Sequence, residues 1–212
     1  MTADPEKTAL RAELKTLRDE VSARAPDAAE TLATKFPLKL LERYGPVVGG
    51  YWPIGSEMDP RPVMQKLEVE GAKLALPRVE DDDTMYFRLW QSGDDLDEGP
   101  YGLSEPRKSA PRIEPTLILM PLLGFDKHGT RLGYGKGYYD RMLSGLRTEG
   151  RIFACGLAFH AQMLDELPAE PHDEPLDWAV TERGSVPIFM MRTFAETQAD
   201  GSGGDDDGPG AA

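Results

Sequence analysis

Two spacings of apolar residues alternate along the chain. The first is helical: within residues 5–25, Leu10, Leu14, Leu17 and Val21 recur three or four apart and make one stripe. Lys7 and Arg11, four apart, share a helix face there. Residues 27–41 continue as a second helix that Pro37 weakens near its end. The second spacing is a continuous apolar run. Residues 46–52 read as a short buried strand with Gly49-Gly50 inside it. A loop at 53–60, a helix at 62–70 stopped by Gly71, and a strand at 73–77 follow. An acidic turn at 80–83 precedes a third strand at 85–90, and a long polar connection covers 91–111. The most apolar strand is 116–120, bounded by Pro115 and Pro121. A glycine-rich segment at 124–139 comes next, then a helix at 138–146 and a strand at 151–158. A short helix at 162–167 and a last strand at 178–181 complete the pattern, with no internal repeat.

Continuous apolar strands alternating with helices predict an α/β fold: a three-layer, Rossmann-like single domain with a mostly parallel sheet flanked by helices. Residues 1–197 make up this domain, and 198–212 are expected to be a disordered, acidic Gly/Asp-rich tail. Ligands of such folds bind at the carboxyl ends of the strands. The strand ending at Met120 leads into the glycine-rich segment, so a site is expected there.

Composition narrows the function. The chain has 212 residues, enough for one domain. No apolar run approaches the roughly 20 residues of a membrane helix, and the charged N-terminus lacks a signal-peptide centre. A cytoplasmic protein with no membrane partner is expected. The formal net charge of −13 argues against a broad basic face, so no nucleic-acid partner is expected. The single cysteine, Cys155, excludes an intrachain disulfide; in its apolar stretch it is a core thiol or a nucleophile. Three histidines and one cysteine argue against a zinc site.

The chemistry concentrates between Met120 and Arg141. Gly133, Gly135 and Gly137 stand at every second position, where they free the backbone for positive φ and close approach to a ligand. Successive amides in such a turn form a concave anion site, and the following helix adds its N-terminus. Arg131 and Lys136 add fixed charge. The spacing is neither a P-loop nor a dinucleotide fingerprint, and a plain glycine turn is the alternative. Asp140 is a Mg²⁺ ligand or a first-turn helix residue favoured by the dipole. A second acid is available among residues 172–177.

The run Gly-Phe-Asp…Arg131-Leu-Gly-Tyr134-Gly-Lys-Gly-Tyr138-Tyr139-Asp140 strongly resembles the signature of the 5-formyltetrahydrofolate cyclo-ligase family. Lys7-Thr-Ala-Leu-Arg11, the segment from Tyr51 to Glu57, Leu76-Pro77-Arg78, Glu105-Pro106 and His172-Asp173 resemble other family pieces, in order. The acidic tail has no counterpart, and Trp52 stands where a smaller apolar residue is expected. The resemblance implies phosphorylation of the formyl oxygen of 5-formyltetrahydrofolate by ATP as co-substrate. Ring closure by N10 then gives 5,10-methenyltetrahydrofolate. It implies that Lys7, Arg11, Arg131, Gly133, Tyr134, Gly135, Lys136, Gly137, Tyr138 and Tyr139 bind ATP. Trp52, Glu57 and Tyr138, with Arg11 and the turn from Tyr134 to Gly137, face the folate, and Asp140 and Asp173 bind Mg²⁺. Glu57 suits the pterin's donor edge because a carboxylate only accepts; Trp52 is a flat wall or a core residue. No general base stands out, and a monomer is expected. Two other readings use the same cradle: a different ATP-dependent ligase or kinase, and a sugar-phosphate binder without catalysis.

Overall fold

Helix α1 (Pro5–Arg24) is the longest in the computed structural model, which describes residues 5–80, 84–150 and 152–188. The expected tail at 198–212 and positions 81–83 of the acidic turn lie outside the described residues. Next come α2 (Ala28–Lys35) and α3 (Lys39–Tyr44), where the sequence suggests one helix. Phe36, next before Pro37, takes φ −63° and ψ 123°, the extended geometry that a following proline imposes, and this breaks the helix.

β1 (Val47–Gly49), α4 (Arg61–Val69), β2 (Lys73–Val79) and β3 (Met85–Leu89) follow. The polar connection contains a small hairpin, β4 (Leu96–Glu98) and β5 (Ser104–Pro106). Then come β6 (Leu117–Met120), β7 (Gly124–Asp126), β8 (Arg131–Leu132), α5 (Tyr138–Glu149) and β9 (Phe153–Leu157). The expected short helix at 162–167 is instead a 3₁₀ turn, His160–Gln162, followed by β10 (Met163–Leu164). Gln162 explains the change. Its amide donates to the carbonyls of Leu122 and Leu123 at 2.8 and 3.0 Å and accepts from the Phe159 N–H at 2.8 Å. The chain thereby runs alongside β7, with which β10 pairs. β11 (Trp178–Thr181) and β12 (Gly184–Val186) form a final hairpin.

Seven strands make the main sheet in the order β12-β11-β9-β6-β1-β2-β3. Its five central strands are parallel, and β3 and β12 are antiparallel edges. Alternate residues of one strand feed opposite layers. Leu117 and Leu119 of β6 join Phe153, Cys155, Leu32 and Leu67 on one face. Ile118 and Met120 join Ala154, Phe125 and Leu143 on the other. Burial on both faces is why this strand reads as an unbroken apolar run. The result is a three-layer α/β domain.

A second, three-stranded sheet, β10-β7-β8, stands beside the carboxyl end of β6. Helix α1 packs on it through Leu10, Leu14 and Leu17, against Leu123, Leu132 and Leu167. Asp126 is 1% exposed and ties this unit. Its carboxylate accepts the N–H groups of His128, Thr130 and Leu167 at 2.8–3.0 Å. No described helix is long and apolar enough to cross a membrane.

Candidate active site

A cleft of about 490 Å³ opens at the carboxyl ends of the central strands, within the size range of small-molecule sites. Tyr51 and Trp52 follow β1 into it, Val79 ends β2 there, and Pro121 follows β6. Helix α1 closes one wall with Lys7 and Arg11, and the glycine turn closes another. The residues assigned from the sequence to ATP, folate and metal all line this one cleft: Lys7, Arg11, Trp52, Glu57, the run Arg131 and Gly133 to Asp140, and Asp173.

The turn takes its shape from two of its three glycines. Gly135 has φ +86°, and a Cβ there would lie 3.1 Å from the Arg11 guanidinium carbon. Gly137 has φ +67° and starts α5; both conformations favour glycine. Gly133 does not need the left-handed region; its carbonyl accepts from Arg11 Nε at 3.0 Å. That bond fastens the turn to α1. Tyr138, Tyr139 and Asp140 form the first turn of α5, so the helix N-terminus faces the cleft.

Cations and carboxylates on this side are already matched. Arg131 Nη2 donates to Asp140 Oδ1 at 2.7 Å, and the Glu174 N–H reaches the same oxygen at 3.1 Å. Arg131 is buried enough that desolvation lowers its pKa against the pull of Asp140, and its Nε has no partner. Lys7 Nζ donates to Glu170 Oε2 at 2.9 Å and to Asp173 Oδ2 at 3.1 Å. Burial works against the Lys7 ammonium, but these two bonds outweigh it and raise its pKa. Glu170, His172 and Asp173 bring one ligand atom each to within 4.8 Å of one another, a grouping that suits a metal ion. Arg147 of α5 secures the same segment through Glu174, Pro175 and Asp177 at 2.6–3.0 Å.

The opposite side is largely apolar, with Trp52, Ile54, Val79, Met85 and Leu103. Trp52 serves both of its sequence readings: it faces the cleft and also meets Trp90 edge-on at 6.0 Å. Glu57, 7% exposed, sits where this apolar wall meets Tyr134 of the turn and Tyr139 of α5. Its Oε2 accepts the Ile54 N–H at 2.9 Å, while Oε1 has no hydrogen-bond partner. Burial pushes its carboxyl up, opposed by the Ile54 N–H, Arg18 and Tyr134. Burial also pushes up the phenols of Tyr51, which is buried, and Tyr139, which is partly buried, so both stay neutral.

Sequence reasoning gave no site role to three polar residues here. Glu105 lines the cleft at 2% exposure and accepts the Val79 N–H at 3.0 Å; only its place beside Pro106 hinted at it. Glu170, the second acceptor of Lys7, had no motif to mark it. Arg18, behind Glu57, did leave a signal: Lys7, Arg11, Leu14 and Arg18 are spaced four, three and four apart, one helix face.

Fold and cleft together define an α/β protein that can hold a polyanion beside a flat, mostly apolar molecule. Residues 3–182 match the 5-formyltetrahydrofolate cyclo-ligase family, and the chain belongs to that family. It is 28% identical over 174 residues to the 5-formyltetrahydrofolate cyclo-ligase of Haemophilus influenzae, covering 79% of this chain and 92% of that protein. It is 33% identical over 154 residues to that of Mycolicibacterium smegmatis, covering 68% and 78%. The NMR structure of Aquifex aeolicus 5,10-methenyltetrahydrofolate synthetase superposes with a TM-score of 0.68 at 26% identity, over 97% of this chain and 96% of that one. The corresponding synthetase from Mycoplasma pneumoniae gives 0.65 at 25% identity, over 83% and 98%.

Proposed function

We propose that this cleft carries out the family's reaction, the ATP-dependent conversion of 5-formyltetrahydrofolate to 5,10-methenyltetrahydrofolate. The γ-phosphoryl group passes to the formyl oxygen on N5. N10 attacks the activated carbon, the N10 proton is lost, and phosphate leaves as the ring closes. Phosphoryl transfer asks for positioning and neutralised charge rather than a strong base. That fits a site in which no base stands out.

The observation that carries this reading is the convergence of an amide-lined glycine turn and an acceptor-only carboxylate, Glu57, on one cleft. The turn, with Arg11 and Lys136 around it, takes the triphosphate. Glu57 Oε1, which lacks a donor, takes an N–H of the pterin, and Trp52 and Tyr138 flank the ring.

The donor set also fits Mg²⁺, a hard cation that takes carboxylate oxygens and keeps waters. The hydrogen bonds described for Asp140 end on Oδ1 and those for Asp173 on Oδ2, which leaves one oxygen of each for a ligand. Asp140 and Asp173 would hold the ion, which supplies charge neutralisation on the phosphate oxygens. Lys7 and Arg131 then pass from carboxylate to phosphate as the nucleotide enters. The acidic composition supports a protein without nucleic-acid partners. The test is an absorbance assay for methenyl-folate formation from 5-formyltetrahydrofolate. Product is expected only with both ATP and Mg²⁺; no product under any condition rejects the reading.

A further inference from the structure

Arg18 heads the fully buried side chains by size, at 1% exposure, and the assignments above give it no role. A guanidinium out of water costs several kcal/mol unless it is paired, so its surroundings matter. Arg18 does not line the cleft; it lies behind two residues that do, Glu57 and Tyr134. Its Nη2 donates to the Tyr134 hydroxyl at 2.6 Å, and its Nε donates to Ser56 Oγ at 3.1 Å. Ser56 Oγ in turn donates to Asp19. The third nitrogen, Nη1, stands 3.8 Å from Glu57 Oε1, and neither atom has a hydrogen-bond partner.

That separation has a chemical consequence. A direct hydrogen bond from Arg18 to Oε1 would use the lone pair that a substrate N–H needs. At 3.8 Å the guanidinium supplies charge while Oε1 keeps its capacity to accept. The same guanidinium holds Tyr134, which stands between Gly133 and Gly135 in the turn. We propose that Arg18 is a positioning residue: from behind the cleft wall it aims Glu57 at the folate and ties that aim to the glycine turn through Tyr134. This rests on the assignment of Glu57 and the turn under Proposed function.

The groups facing Glu57 come from four places: Arg18 of α1, Tyr134 of the turn, Tyr139 of α5 and Tyr51 after β1. Arg18 is the cation among them. Burial raises the Glu57 carboxyl, and Arg18 is one of the groups that offset it. Without that charge Glu57 protonates at higher pH, so the acid limb of kcat/KM for the folate moves upward.

The experiment is steady-state kinetics across pH on four variants. Arg18→Met is expected to raise the KM for 5-formyltetrahydrofolate about tenfold or more and to shift the acid limb up. Arg18→Lys restores the charge without the paired bonds to Tyr134 and Ser56, so the limb returns toward wild type while KM stays raised. Tyr134→Phe raises the folate KM about two- to fivefold. Glu57→Gln is the control for the underlying assignment: an unchanged folate KM there rejects the role of Glu57 itself. If Glu57→Gln responds while Arg18→Met keeps the wild-type KM and acid limb, the Arg18 proposal alone is overturned. Should Arg18→Met fail to fold, a wild-type folate KM in both Arg18→Lys and Tyr134→Phe overturns it equally.

Discussion

The two ends of the cleft handle charge in opposite ways. Around the glycine turn, Arg131 meets Asp140 at 2.7 Å, and Lys7 meets Glu170 and Asp173 at 2.9 and 3.1 Å. At the Glu57 end, Arg18 and Glu57 stop 3.8 Å apart, each with an unpartnered atom. Matched pairs of the first kind can be exchanged: a polyanion and a divalent cation arriving together replace each cation–carboxylate bond with an equivalent one, so little desolvation is left unrecovered. An incomplete pair of the second kind is maintained by the fold at a cost, and it offers a ligand one fixed acceptor. The difference fits the proposed division of the site, with nucleotide exchanged against the matched pairs and a ring read by Glu57.

The strongest way to break this contrast is Asp140→Asn. It strips the buried Arg131 of its partner and removes a proposed Mg²⁺ ligand. Turnover is expected to fall about a hundredfold or more, and unfolding free energy to fall by about 3 kcal/mol, because a buried charge is left unpaired. Denaturant titration beside the methenyl-folate assay reads both; an active variant of unchanged stability would show that the pair is incidental.

Lys136→Ala tests the glycine turn itself. Lys136 is exposed among the glycines at the cleft rim. Losing this cation from the proposed phosphate cradle should raise the KM for ATP about tenfold and leave the folate KM within about twofold. Equal changes in both constants would blur the two ends into one.

How much of this was legible in the sequence follows from how local each cause is. The stripe of α1, the apolar run of β6 and the glycine turn depend on neighbours within a few residues, so period and composition expose them. The break at Phe36 was half legible, since Pro37 signals it but does not say that a separate helix resumes at Lys39. β10 and the β4–β5 hairpin were not legible, because each exists through a partner strand that sequence spacing does not name. In the cleft, motif residues stood out, whereas the roles of Glu170 and of Glu105, quoted only as part of a Glu-Pro pair, come through distant partners: Lys7 is 163 positions from Glu170, and Val79 is 26 from Glu105.

Lys7→Met sharpens the exchange argument with a smaller effect. In the free protein the Lys7 ammonium neutralises Glu170 and Asp173. While its two partners are charged, the stabilisation Lys7 gains from them is fully present below the ordinary lysine value of 10.5 and is lost as pH rises through the raised folded value. Removing the ammonium leaves two adjacent carboxylates, so Mg²⁺ binding without nucleotide should tighten about three- to fivefold while the KM for ATP rises. Calorimetric titration checks the first part, and weaker Mg²⁺ binding would mean that Lys7 props the acidic segment open rather than standing in for the ion.

The smallest effect belongs to Cys155→Ala, which probes a region outside both ends. Cys155 lies in the middle of β9, paired with Leu119 and Trp178, fully buried and away from the cleft lining. Burial raises its thiol pKa well above the ordinary range, so the thiolate that a nucleophile requires is absent at working pH. The substitution leaves a cavity of about one sulfur atom, expected to cost about 1 kcal/mol of stability, with kcat and both KM values within about twofold of wild type. The folded protein should likewise resist iodoacetamide and react once unfolded. A tenfold loss of kcat at nearly unchanged melting temperature would place chemistry inside the sheet, and the division of labour between the two ends of the cleft would no longer account for the reaction.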